Sequence, residues 1–404
     1  MLSKGSLIFS IITLSVILKI LILYVLGVEA FPDSVWYINT AEEIYNNNFV
    51  YPDSELKDAP GSPYFYALFY PLTQYFGLNG LAIGNIVIAS ISVYIFYRIS
   101  LLIFNDIQAA NIAALSAAVY PFFNFYSITI LTEIIYIFLL YVAIYFFIKF
   151  YKTNNVYHFL LFSIFFALDG LVRFANLSMF LFFVMLAIVL MIKNNCKGVF
   201  IFKTVALGSV CFVLVMSPWW MRNYQVFGEF VATSVGESGK VFFSGNNPHN
   251  KSGGGIGGID VAYEDLSRFE KIKDLKKRDK AMFQEGLNWI KNNPSDWVIL
   301  EFRKLKRLYS PVFYAEKYSA WYYNLLSIVS YGTVLVLFLV SLFTLRSYFW
   351  AYSPMLLYLF LLTGVHLVFI ASIRYRLPLE PFMLIMSSKV LGDLFKKYNL
   401  KVVN

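Results

Sequence analysis

Two carboxylates stand where acid–base chemistry is feasible. Asp33 lies in Phe31-Pro32-Asp33-Ser34-Val35-Trp36-Tyr37, which opens a predicted helix. Asp33, Tyr37 and Ala41 recur at four-residue intervals and share one face of that helix. Asp33 has two readings: a cap for the helix, or a general base taking a proton from an acceptor hydroxyl or amine. Glu133, in Leu131-Thr132-Glu133-Ile134, has apolar residues on either side. A charge in such a segment is costly, so it either reaches water at the helix end or does chemistry.

Four arginines complement them. Arg173 follows Asp169-Gly170-Leu171-Val172, Arg222 follows Pro218-Trp219-Trp220-Met221, and Arg374 and Arg376 stand in Ser372-Ile373-Arg374-Tyr375-Arg376-Leu377-Pro378. Each could be a snorkelling anchor at a helix end. As a set they suit phosphate oxygens, which a planar guanidinium grips as a fork. Asp58-Ala59-Pro60-Gly61-Ser62-Pro63 reads as a rigid turn before an aromatic helix. Ser244-Gly245-Asn246-Asn247-Pro248 reads as a turn or as a polar loop that bonds a sugar. Asp33, Asp58, Glu133, His249 and His366 have no spacing that defines a metal site, so a metal stays unassigned. Cys196 and Cys211 form no redox or zinc motif.

These groups need a scaffold, and composition says which. Of 404 residues, 59% are apolar and only 14% charged, with a net charge of +9. Soluble domains average about 45–50% apolar and about 25% charged. A disordered, nucleic-acid-binding or ordinary soluble protein is excluded, and an all-α polytopic membrane protein is expected. Ten apolar segments are predicted as spans: 6–28, 79–97, 108–125, 127–148, 157–171, 174–192, 204–221, 320–345, 349–371 and 377–395. The first resembles a signal peptide, with Val28-Glu29-Ala30 as a cleavage site, but its apolar run is too long and it is read as a retained helix.

Charge orients the spans. Lys4, Arg98, Lys149, Lys152, Lys193, Lys197, Lys203, Arg346, Lys396, Lys397 and Lys401 fall on one side, which is expected to be cytoplasmic with both termini. The opposite side carries loop 29–64, with seven carboxylates against the single Lys57, and the long segment 222–319. That segment contains a flexible stretch at 252–258 and two amphipathic helices near 262–292 and 295–309. The expected organisation is a membrane module over 1–221 with an outer catalytic loop at 29–78, an outer segment over 222–319, and C-terminal spans over 320–404. All the candidate residues then gather at one membrane face. That favours surface chemistry over a transporter or flippase of a lipid-linked sugar, which would place polar groups near the midplane.

The motif set, in this order, resembles the bacterial branch of the GT-C glycosyltransferases. That family-39-like group is related to protein O-mannosyltransferases and the aminoarabinose transferase of lipid A. The carrying residues are Pro32-Asp33-Ser34 with Tyr37 and Ala41, Pro60-Gly61-Ser62-Pro63, Leu131-Thr132-Glu133, Leu171-Val172-Arg173, Pro218-Trp219 with Arg222-Asn223-Tyr224, Gly245-Asn246-Asn247-Pro248, and Arg374-Tyr375-Arg376-Leu377-Pro378.

The resemblance implies about ten transmembrane helices and a sugar donor linked to polyprenyl phosphate. The acceptor would be extracytoplasmic: lipid A or lipopolysaccharide, a glycan, or a protein. It implies displacement with inversion at the anomeric carbon, in the inner membrane of a bacterium, with membrane lipids as partners and no nucleic acid. Asp33 matches the acidic base position and Glu133 a second acidic position. Arg222, Arg374 and Arg376 match basic positions near the donor phosphate, and Arg173 matches less closely. Substrate contacts are expected from Tyr37, Asp58, Asn246, Asn247 and Glu380. Some relatives use a divalent ion and others none. Two departures stand out. Asp58-Ala59 and Ser62 replace the basic residue and tyrosine that many relatives have around Pro-Gly-Tyr-Pro. Glu380 stands where many are neutral, and could pair with a neighbouring arginine.

Overall fold

The computed structural model describes residues 4–53, 59–234, 236–255, 263–314 and 316–402. Asp58 lies outside them. The described residues are helical, without strands; a single parallel bridge joins Glu29 to Thr129. The helices are α1 (Lys4–Leu26), α2 (Pro32–Asn46), α3 (Gly61–Phe69), α4 (Asn79–Phe104), α5 (Ile107–Val119), α6 (Pro121–Tyr126), α7 (Glu133–Thr153), α8 (Val156–Gly170) and α9 (Met179–Lys193). They continue with α10 (Gly198–Phe227), α11 (Ser238–Gly245), α12 (Tyr263–Glu270), α13 (Leu275–Asn292), α14 (Pro294–Leu308), α15 (Trp321–Ser327), α16 (Thr333–Thr344), α17 (Phe349–Val368) and α18 (Glu380–Val402).

Seven helices among the described residues are long and apolar enough to cross a membrane: α1, α4, α7, α9, α10, the α15–α16 pair joined by a π turn, and α17. The chain is an integral membrane protein. The other three expected spans are also helical, but each departs from the rule. Helix α5 ends at Tyr120, where the backbone turns extended and Pro121 begins a separate helix. Helix α8 has only 15 residues. Helix α18 is long enough but carries Lys389, Asp393, Lys396 and Lys397. The expected helix at 262–292 is two helices, because Asp274 leaves helical geometry and caps α13 by accepting from Lys277 N at 3.0 Å. The glycine stretch is packed where it is described: Gly253 and Gly254 are buried, and Gly253 lies against the backbone of Lys304.

Packing follows residue size. Helix α5 buries Ala109, Ala110, Ala113, Ala114, Ala117 and Ala118, which lets α4 and α18 approach it closely. Phe147, Phe159, Phe162, Phe166 and Phe183 interlock between α7, α8 and α9. At the end of the bundle away from Asp33 and Glu133, Asp106 accepts from Lys389 (3.1 Å) and Lys396 (2.6 Å) and ties α5 to α18.

Candidate active site

Four of the charged residues singled out in the sequence meet at one end of the bundle. Asp33 sits in the first turn of α2, after Pro32 at the first helical position. The cap contact there belongs to Ser34, whose Oγ accepts from Phe31 N at 2.9 Å. The Asp33 carboxylate is instead bonded by Arg374 Nη1 at 2.8 Å and stays half-exposed. Glu133 opens α7 and is buried. Its Oε1 accepts from Arg173 Nη2 at 2.9 Å and from Arg374 Nε. Its Oε2 is buried with no hydrogen-bond partner among the described residues. Burial works against the charge of Arg173 and Arg374, but Glu133 outweighs it. Both guanidinium groups are held above the ordinary arginine pKa and stay cationic.

Local structure explains the placement. Ser372 Oγ accepts from Arg374 N at 3.4 Å and caps the single helical turn Ile373–Arg376. Arg173 lies over the rings of Tyr136 (5.9 Å) and Tyr375 (5.8 Å). Tyr37 is buried one turn beyond Asp33. The Pro60-Gly61 turn holds the loop that leads to Arg173. Gly61 N donates to Leu171 O at 2.8 Å, and a Cβ at Gly61 would come within 2.7 Å of Val172 Cγ2.

Sequence reasoning missed the supports under Glu133. Tyr66 OH donates to Leu131 O at 2.6 Å, and Asn85 Nδ2 donates to Thr129 O at 2.6 Å. It also missed a buried network under Tyr136: Asn176 Nδ2 donates to Asp169 Oδ2 at 2.5 Å, and Tyr136 OH donates to Asn176 Oδ1 at 3.2 Å. A lone polar residue in an apolar helix was the available signal. His366 stacks on Tyr375 with ring centres 4.6 Å apart and is bonded through Nδ1 to Ile370 O.

The other expected site residues stand elsewhere. Arg222 donates to Pro52 O at 2.7 Å and lies over Tyr51 and Trp219, joining the end of α10 to the loop that follows α2. Arg376 is fully buried: its Nε bonds Glu380 Oε1 at 2.7 Å, its Nη1 bonds Ser310 O, and it stacks on Tyr331 at 3.3 Å. Asn246 and Asn247 are buried, with their amides committed to backbone carbonyls. Among the described residues no three His, Cys, Asp or Glu side chains gather to hold a metal ion. Between Asp33 and Glu133 stands a guanidinium, so this donor set does not fit one.

Residues 57–221 match the family described as dolichyl-phosphate-mannose-protein mannosyltransferase. The structure of the Archaeoglobus fulgidus oligosaccharyltransferase in its apo form aligns with 98% of this chain and 51% of its own, at 15% identity and a TM-score of 0.60. The same organism's AglB oligosaccharyltransferase, in complex with an inhibitory peptide and a dolichol-phosphate, aligns at 13% identity and a TM-score of 0.59, over 99% of this chain and 51% of its own. The chain has the GT-C fold. It spans about half the length of those oligosaccharyltransferases. ArnT from Cupriavidus metallidurans, bound to undecaprenyl phosphate, overlaps less, at 11% identity and a TM-score of 0.45 over 97% of this chain and 77% of its own. No curated protein matches. Within the GT-C fold, Asp33, Glu133, Arg173 and Arg374 occupy a single end of the helix bundle.

Proposed function

We propose that this chain is an integral-membrane glycosyltransferase that moves a sugar from a polyprenyl-phosphate carrier to an extracytoplasmic acceptor. The observation that carries this reading is the Asp33–Arg374–Glu133–Arg173 chain of charges. Its composition suits the leaving group. A polyprenyl phosphate departs with charge growing on its phosphate oxygens, and two preformed guanidinium groups stabilise that charge. Glu133 binds both arginines and so orders them before substrate arrives.

Asp33 supplies the base. Its half-exposed carboxylate can reach an acceptor hydroxyl or amine, whereas the buried Glu133 cannot. Asp33 takes the acceptor proton as the acceptor atom bonds to the anomeric carbon. The bond from that carbon to the phosphate oxygen breaks, configuration inverts, and polyprenyl phosphate leaves on Arg374 and Arg173. A phosphate at Arg374 competes with Asp33 for the same guanidinium, so the arriving donor frees the base. The dolichol-phosphate held by the archaeal relative supports the carrier class.

The positive-inside pattern supports cytoplasmic termini and an extracytoplasmic site; the bacterial inner membrane rests on the resemblance alone. The outer segment 222–319 is the part that would select a lipid, glycan or protein acceptor, between membrane modules at 1–221 and 320–404. The test uses purified protein in lipid, a panel of undecaprenyl-phosphate sugars, and membrane extract as acceptor source. Release of free carrier phosphate from one donor is expected. No release, together with passage of a labelled donor across vesicles, overturns the reading in favour of a transporter.

A further inference from the structure

The outer segment has a small core of its own, in which Phe243, Phe269 and Met282 pack with Ile272 and Ala281. It also grips one short stretch of the membrane bundle. Residues 367–371 leave α17 and run to Ser372, the cap of the turn that carries Arg374. Each of these five residues is met from outside. Leu367 O accepts from Lys304 Nζ at 2.6 Å, and Val368 O accepts from Asn246 Nδ2 at 2.9 Å. Phe369 packs its ring near Phe242, with centres 5.9 Å apart. The Ile370 side chain lies on Gly255, and Ala371 N donates to Gly253 O at 3.1 Å.

Two glycines show how close the grip is. A Cβ on Gly245 would fall 1.8 Å from Phe369 O. Gly253 has φ +77°, which disfavours any L side chain, and a Cβ there would lie 2.9 Å from Lys304 N. Lys304 is central to the arrangement. It is fully buried, and its three ammonium protons meet Leu367 O, Asn246 Oδ1 (3.1 Å) and Glu301 Oε1 (2.8 Å). A buried ammonium with all its bonds filled resists displacement, because breaking any one bond leaves a polar group unsatisfied.

We propose that Lys304 is a positioning residue for Arg374: with Asn246 it clasps the outer segment onto 367–371 and so sets where the Arg374 guanidinium stands between Asp33 and Glu133. The acceptor-facing segment is thereby coupled to the donor-phosphate arginine. The coupling to catalysis rests on the transferase reading; the clasp itself does not.

The test separates the two. Hydrogen exchange is followed on the full chain in lipid, wild type against Lys304→Met. Exchange across 368–376 is expected to rise roughly tenfold or more, with α7 and α4 unchanged. Unchanged exchange at 368–376, or a rise throughout the protein, overturns the clasp. Should Lys304→Met not fold, Asn246→Ala replaces it, with the same two outcomes. Turnover is then measured in a cycle of Lys304→Met with Arg374→Lys. A residue acting through Arg374 loses most of its effect once Arg374 is altered, so the double variant is expected within about twofold of Arg374→Lys alone. Multiplicative losses overturn the coupling. If wild type consumes no donor while exchange responds as expected, the clasp stands and the transferase reading fails.

Discussion

Asp33 and Glu133 are joined through one side chain. Arg374 bonds Asp33 through Nη1 and Glu133 through Nε, so the half-exposed carboxylate and the buried one are fixed relative to each other by a rigid fork. Arg173 completes the arrangement by bonding the same Glu133 oxygen, Oε1.

The fork is the first thing to test. Lysine keeps the charge at 374 but cannot donate from two fixed directions. Arg374→Lys is expected to lower turnover by about 10²–10³, the range seen for one lost transition-state donor. Turnover within threefold of wild type would show that the forked geometry has no part in the reaction.

Glu133 and Asp33 should differ sharply in stability. Replacing Glu133 by Gln removes the buried negative charge that two part-buried guanidinium groups share. A loss of about 3 kcal/mol is expected, as for breaking a buried ion pair. Asp33→Asn alters a half-exposed pair, worth about 0–1 kcal/mol. Thermal unfolding in lipid nanodiscs reads both; equal losses would contradict the assigned burial.

Gly61→Ala probes the approach to Arg173. The added methyl would meet Val172 Cγ2 at 2.7 Å and Leu171 O at 2.9 Å, so the 171–173 loop must move. A cost of about 1–3 kcal/mol is expected from overpacking. Turnover should also fall, whereas Gly198→Ala, where the methyl meets nothing within 4 Å, should leave both unchanged.

The far end of the bundle has a pH signature. Burial pushes the Asp106 carboxyl up, but hydrogen bonds from Lys396 and Lys389 outweigh this and lower its pKa to about 2 from the ordinary 3.8. A carboxylate depressed in the folded state stabilises above the unfolded pKa. That contribution is lost as pH falls from about 4 through about 2. The melting temperature of wild type should therefore drop more steeply across that window than that of Asp106→Asn. Parallel curves would contradict the pairing with Lys389 and Lys396.

Much of this was legible in the sequence, because charge in an apolar context is conspicuous. Asp33, Glu133, Arg173 and Arg374 stood out by type alone, and the pairing of Glu380 with a neighbouring arginine follows from its four-residue spacing from Arg376. What separates Arg374 from Arg376 was hidden. Two residues apart, one faces Asp33 and the other is enclosed by Glu380 and Tyr331, which only the one-turn helix that carries both decides. The supports Tyr66, Asn85 and Lys304 bond backbone carbonyls distant in the chain, and no local spacing announces such a bond. Hydropathy likewise overstated the span at α5, which the Tyr120–Pro121 break divides, whereas the short segment 157–171 is matched in length by α8.

The central claim is tested most directly by measuring donor binding and donor turnover together on Asp33→Asn. The donor is whichever undecaprenyl-phosphate sugar the wild type consumes. The account predicts that binding is kept, since Arg374 and Arg173 remain, while turnover falls by about 10²–10⁴ through loss of the general base. Turnover within a few-fold of wild type would contradict Asp33 as the base.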